Sequence, residues 1–551
     1  MSIMAGPLWS SMPWRGSALR GAALLSLGCH RGCRPSRAEC RRIGVVMTRR
    51  QIASLVVLSA AVFLVAVDGT VMAIAVPELT AELGPTYTQV LWIGDIYSFM
   101  LAGLLVTAGN LGDRLGRKRL LLFAAAGFGV MSVAAAMAPT PELLIAARAL
   151  QGVAGAGLMP PTLALIRGVF TEPRQRTRAI GIWSAAGSAG ASVGPTVAGL
   201  LLSHFFWGSV LLINVPVVIF IVVVGAWVLP ESRGDSEQPL DVVSILLSTA
   251  GIIGTIYAIT EFAHSGFGHL PPWIALVVSV PMLGYFLRRQ LQLPVPLLDL
   301  SLFSIVRFRA AVVAEFSVVF AATGALFFIP IYFQEVLGYS PMRTGVSLLP
   351  VSLVSVVVSP NTGKLIRAFG ARKVLLSGMV SSTVGLISLG LLESQPYWAI
   401  VGPLVLLGYG FASVLTVAAD LVLMSAPHER AGAATGVSET SFELGSALGI
   451  ALIGSAITAI YQARLSIPAG VGEQVSASVT ESVTGVADAA ASLADPALAE
   501  ALLTSAGNAF SAGLTIASVG AGLLLAGVTW WVQRNTRDAS KTRAAARPAQ
   551  P

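Results

Sequence analysis

Apolar residues occupy this chain in blocks. Stretches of about 20 residues without a charge alternate with short segments that collect Arg, Lys, Asp, Gly and Pro. A block of that length crosses the ~30 Å of a bilayer's hydrocarbon core as one helix. Fourteen such blocks can be read, at roughly 52–76, 90–111, 120–138, 142–166, 179–202, 209–229, 242–261, 272–287, 310–332, 344–360, 374–392, 397–425, 431–460 and 510–532. The eighth and tenth are the shortest. The pattern predicts an all-α polytopic membrane protein with 14 transmembrane helices, and composition agrees: 55% hydrophobic, 11% charged, mean hydropathy +0.78.

A sequence pI near 9.7 raises the question of nucleic acid, so the basic residues have to be located. Residues 1–46 hold seven Arg and one acid, and the remainder carries a net charge of only +2. The basicity belongs to a tail, and no nucleic-acid partner is expected. Cys29, Cys33 and Cys40 all lie in that tail, which leaves no disulfide framework in the spanning part and no expected metal site. The tail has no spanning run, and Met47 followed by Thr-Arg-Arg and then a spanning block reads as a natural start. With a cytoplasmic N-terminus, the termini and even-to-odd connections hold 32 of the 35 Lys and Arg. Only Arg343, Arg464 and the mid-block Arg148 fall elsewhere, so both termini are expected in the cytoplasm.

Residues 109–122 read GNLGDRLGRKRLLL, a short loop carrying Asp113, Arg114, Arg117, Lys118 and Arg119 between two spans. A plain stop-transfer loop is the other reading of such a cluster. A weaker copy, GKLIRAFGARK at 363–373, aligns Gly363 with Gly109, Leu365 with Leu111 and Gly370 with Gly116, and puts Arg367 in place of the acid. The chain therefore contains a repeat. The copies are eight helices apart, which marks the seventh and eighth helices as an insertion between two six-helix lobes. The expected units are a basic tail 1–46, a lobe 47–230, two inserted helices in 240–290, a second lobe 306–533 with an external loop 461–508, and a disordered tail 534–551.

The fifth block contains Gly190, Gly194, Pro195 and Gly199, whose small-residue spacing lets helices approach closely. Arg148 stands inside the fourth block, where a cation costs ~2.5–3.5 kcal/mol at the bilayer centre. It either has a buried partner or snorkels from a helix end. Asp68, Asp95, Glu439 and Glu443 lie in apolar surroundings, and the last two share a helical face. These acids are expected either to hold protons or to face a polar cavity. Glu315 and Asp420 lie close to predicted helix ends, where an interfacial place is as good a reading as function. Trp92, Tyr97, Trp183, Tyr257 and Phe442 offer aromatic faces for a lipophilic cation.

The opening cluster resembles motif A of the major facilitator superfamily, G-x-L-x-D-R-x-G-R-K, at every defining position: Gly109, Asp113, Arg114, Gly116, Arg117 and Lys118 among them. Gly190, Gly194, Pro195 and Gly199 are similar to motif C of its antiporters, and Arg148 to the Arg of motif B. Over residues 50–535 the chain resembles the fourteen-helix drug/proton antiporters. DGTV from Asp68, LWIGDIYSFMLAGLL, WGSVLLINVP, PLLDLSLF and SETSFELGSALGIALIGS are similar to the QacA-type quaternary-ammonium exporters. The resemblance implies a plasma-membrane, proton-coupled exporter of lipophilic cations, working as a monomer without catalysis or a bound cofactor. A nutrient symporter or metabolite exporter of the same fold is the alternative. It further implies that Asp68, Asp95, Glu439, Glu443 and Arg148 handle the proton or cation. The motif A loop would act as a latch, with Asp113 pairing with Arg117 and facing a helix N-terminus in only one of two states.

Overall fold

Fourteen helices of the computed structural model are long and apolar enough to cross a membrane. The structure describes residues 47–545 apart from 86, 234–240, 266–267, 294–295, 393–395, 428–430, 473–474, 477–478, 481–485 and 494. The readings placed on the tail 1–46 and its cysteines, on the Asp95 side chain and on the Pro195 ring lie outside the described residues. In chain order the spans are α1 Arg49–Leu83, α2 Tyr87–Leu115, α3 Arg117–Ala136, α4 Pro141–Val169, α5 Pro173–Leu202, α6 Ser209–Val228 and α7 Val242–Ser265. They continue as α8 Leu270–Gln290, α9 Val306–Ile331, α10 Leu349–Phe369, α11 Ala371–Leu392, α12 Tyr397–Ser425, α13 Ala431–Arg464 and α14 Pro496–Ala545.

Local chemistry explains where these helices start and break. Thr48 and Gln51 exchange side-chain and backbone hydrogen bonds in a capping box that opens α1 directly after Met47. Pro160 and Pro161 interrupt α4, which runs as Pro141–Ala156 and then Met159–Val169, because proline lacks an N–H and its ring clashes with the preceding turn. A second break at Ile213 divides α6 into Ser209–Leu212 and Asn214–Val228. Large apolar side chains such as Phe123, Leu150, Trp227, Val277 and Leu524 are exposed on the outer surface of the bundle. So much apolar exterior suits lipid and not water.

α1 packs along α5, and α3 along α4 and α6, while α9 packs along α13 and α11 between α12 and α14. The intervening α7 and α8 pack on each other, and α7 rests on both α2 and α13. A clip closes one end of that pair: Arg289 donates to both Asp241 oxygens at 3.1 Å, and Asp241 caps α7 through Ser244. Burial pushes the Asp241 carboxyl up, but the hydrogen bonds from Arg289 and Ser244 outweigh it and hold it below the usual carboxylate range. Arg50 bonded to Val228 O, Gln51 to Val169 O and Arg372 to Gln533 O gather the ends of α1, α4, α6, α11 and α14 on one side, the basal face.

Three expectations on extent are corrected. The tenth span lies at Leu349–Phe369, not 344–360, because Pro341 starts a separate short helix, Pro341–Ser347. The last span begins at Pro496, within the segment read as an external loop, where Asp495 accepts the Ala497 N–H. It also runs on to Ala545 through the tail read as disordered. The stretch has no helix breaker and ends in Lys and Arg, which favour a helix C-terminus.

Candidate functional site

α2 and α13 meet at the basal face through glycine. A methyl group on Gly109 would overlap the Gly432 carbonyl oxygen, and one on Gly432 would stand 2.5 Å from Gly109 O and 2.6 Å from Asp113 Oδ1. This contact places Asp113 over the start of α13, where the amides of Gly432 and Ala433 donate to its two oxygens at 3.1 Å. Arg117 donates to the same carboxylate at 2.8 Å from Nε and Nη2. A carboxylate at a helix N-terminus gains from the helix dipole and from amides that have no intrahelical partner. The loop is also tied to the end of α6 and the segment after it, Lys118 to Ala226 O and Arg117 to Ser232 O and Oγ, and Arg114 is half-buried. Gly116, at φ 109°, makes the turn between α2 and α3 in a conformation that favours glycine.

The repeat reproduces this seam between α10 and α5. Gly370 has φ 85°, matching Gly116. Gly363 faces Thr177 as Gly109 faces Gly432, and a methyl on Gly181 would overlap Ser359 O as one on Gly436 would crowd Leu105 O. Beside this seam, Arg176 on α5 pairs with Asp420 on α12 at 3.4 Å, and Arg167 donates to Ala426 O at 2.9 Å. Asp420, read as an interfacial candidate, thus joins the two lobes.

Of the glycines read as motif C, Gly190 and Gly194 bring α5 against α1, at the Phe63 carbonyl and the Thr70 hydroxyl. Gly199 faces open space, so close packing does not extend to it.

Arg148 is fully buried and does not snorkel, since α4 begins seven residues earlier. Its Nη1 donates to Asp68 Oδ2 at 2.7 Å, while Asp68 Oδ1 accepts from Gln151 Nε2 at 2.8 Å and Asn214 Nδ2 at 2.7 Å. Ser132 accepts from both amides. The expectation that Asp68 holds a proton or faces a polar cavity omitted a third solution, an ion pair in which both carboxylate oxygens accept hydrogen bonds. Removing either charge from such a pair costs ~3–5 kcal/mol. Gln151 and Asn214 were not singled out from the sequence, although an Asn inside the apolar run SVLLINVPVV was the available signal. It reaches Asp68 because α6 breaks at Ile213.

The second lobe is built differently. Glu439 on α13 is buried, and Glu443 lies one turn further along the same helix. Glu315 is not interfacial. It is 6% exposed on α9, where the Ser438 hydroxyl donates to its Oε2 at 2.5 Å. Among the described residues no cation pairs with Glu315, Glu439 or Glu443. The aromatic candidates divide. Arg148 already covers the Tyr97 ring at 4.5 Å, Trp183 donates to Thr162, Trp92 and Tyr257 stack at 5.6 Å, and Phe442 lies edge-on to Phe411.

Comparison with known proteins fits this architecture. The chain is 40% identical to the multidrug efflux pump LfrA of Mycolicibacterium smegmatis over 87% of its length and 94% of that protein. It is 36% identical to the methyl viologen resistance protein SmvA of Salmonella typhimurium over 88% of its length and 98% of that protein. The human organic anion transporter MFSD10 has the same fold at 15% identity and TM-score 0.56, covering 88% of this chain and all of that one. Residues 58–450 match the family model described as Major Facilitator Superfamily. With its two glycine seams, internal repeat and buried charge clusters, the chain belongs to the major facilitator superfamily.

Proposed function

We propose that the protein is a proton-coupled antiporter that exports lipophilic cations across the plasma membrane, with the basal face and both termini in the cytoplasm. One observation carries the reading: on α13 of the second lobe the buried Glu439 and the half-buried Glu443 stand one turn apart with no paired cation among the described residues, while Asp68 in the first lobe is neutralised by Arg148. Such acids favour either bound protons or a bound cation, and exchange of one for the other is antiport. The relatives named for multidrug efflux and methyl viologen resistance support the same class of substrate. The latch, closed in this structure, is the device that alternates access.

Charge balance sharpens the test. Exchange of one monovalent cation for one proton moves no net charge, whereas exporting a divalent cation for one proton opposes the membrane potential by about 2.3 kcal/mol per 100 mV. A dication therefore needs a second proton and a second acid. Glu443→Gln is expected to weaken export of methyl viologen, a dication, more than that of ethidium, a monocation, in everted vesicles. An unchanged ratio of the two rates removes Glu443 from the cation site.

A further inference from the structure

Glu315 is the buried titratable group that this cation site leaves unused. It is the tenth residue of α9, ~13 Å along the helix from its start, beyond the reach of the basal interface. α9 is drawn against α13 because a methyl on Gly445 would meet Phe316 O at 2.8 Å and one on Gly449 would overlap Phe320 O. That approach seats Glu315 on the hydroxyl of Ser438, the residue before Glu439. A buried carboxylate served by one neutral donor is costly, and among the described residues no ion pair compensates it. Of the charged groups on the other helices around α9, Arg372 is bonded to Gln533 and Thr536, Asp420 to Arg176, and Arg534 lies over Trp530, with Lys373 beside Arg372 at the start of α11; Glu500 and Arg464 lie at the opposite ends of α14 and α13. Arg309, on α9 itself, donates to Phe303 O at the helix start. The group that touches Glu315 is Ser438; Glu439 is the next residue of α13 and Glu443 follows one turn further along.

We infer that Glu315 is a proton carrier of the exporter that does not touch substrate: it exchanges a coupled proton with the Glu439–Glu443 pair through Ser438 while that pair meets the cation. The transfer balances. With the Ser438 hydroxyl turned from Glu315 toward Glu439, the Glu315 O–H bond breaks as an O–H bond forms at Ser438 Oγ, and the serine's own O–H bond breaks as one forms on the Glu439 carboxylate, so the serine is unchanged, Glu315 is left ionised and Glu439 is left protonated. The inference rests on the antiport reading and adds a third acid to it.

The test uses the whole purified transporter with ethidium as probe. In weakly buffered detergent solution, wild type is expected to release protons on binding ethidium, and Glu315→Gln to release about one fewer. In proteoliposomes, Glu315→Gln is expected to lose roughly tenfold of the pH-gradient-driven rate, keep ethidium counterflow without a gradient within about twofold, and be rescued by Glu315→Asp. Ser438→Ala should keep the proton count yet slow the gradient-driven rate. Unchanged proton release in Glu315→Gln overturns the inference, as does equal loss of counterflow, which would mark a packing residue. If Glu315→Gln does not fold, failure of both Glu315→Asp and Ser438→Ala to alter gradient-driven transport overturns it. A wild type that neither releases protons nor responds to the gradient instead refutes the antiport reading itself.

Discussion

The two seams that join the lobes share a backbone plan and differ in chemistry. At each, glycine lets an even-numbered helix of one lobe lie against the fifth helix of the other, Gly109 on Gly432 at one and Gly363 on Thr177 with Gly181 on Ser359 at the other. Only the α2–α13 seam keeps the acid. The reason lies in where the facing helix begins. α13 starts at Ala431, so the Gly432 and Ala433 amides have no intrahelical acceptor and need Asp113. α5 starts at Pro173, one turn earlier relative to the matched contact, and its Arg176 amide is already bonded to Glu172 O. An acid at position 367 would find no free amides there, and an arginine is tolerated. The first seam is closed by charge, and the second by packing reinforced by Arg176–Asp420.

The largest expected effect tests what the seams have in common. Gly109→Ala or Gly181→Ala inserts a methyl into a facing backbone carbonyl, at ~1–3 kcal/mol against the closed state. Either change should shift closure by up to roughly a hundredfold. A cysteine placed at buried Thr435, in a background without Cys29, Cys33 and Cys40, should then react with a thiol reagent added from the cytoplasm. Continued protection would mean that the seams are not what closes this face.

Asp113→Asn separates the charged seam from the packed one. It removes charge-assisted bonds worth ~1.5–3 kcal/mol, so turnover should fall about tenfold or more while KM changes little, because the cation site is untouched. A change confined to KM would place Asp113 in substrate binding. Asp420→Asn should cost less, roughly threefold in turnover, since its bond to Arg176 is long at 3.4 Å and partly exposed. An effect as large as that of Asp113→Asn would make the second seam a latch too. Arg367→Asp is expected to change transport by less than about twofold, for want of free amides on α5. A marked gain or loss would refute helix start as the reason that the acid is missing.

Much of this was legible in the chain. Blocks of apolar residues fix the number of spans, because the bilayer imposes one length on all of them. The copy of the opening motif at 363–373 revealed the repeat, and the placing of Gly370 and Gly116 at positive φ follows from that alignment. The charge cluster offered Arg117, one turn away, as a partner of Asp113, while the facing helix N-terminus was implied only by the resemblance to motif A. Pairings between distant segments were not legible. Asp68 and Arg148 are 80 residues apart, and their buried ion pair is completed by Gln151 and by Asn214, just past the break in α6. Glu315 sits near the end of its apolar block and so read as interfacial, yet α9 begins further out and the α13 glycines draw it against Ser438. Sequence alone determined which residues must leave water and which loops must stay in it, since both follow from transfer free energies of local segments. Only the tertiary structure decided which buried charges neutralise one another, because that depends on helix register and close approach at glycine, which no single segment encodes.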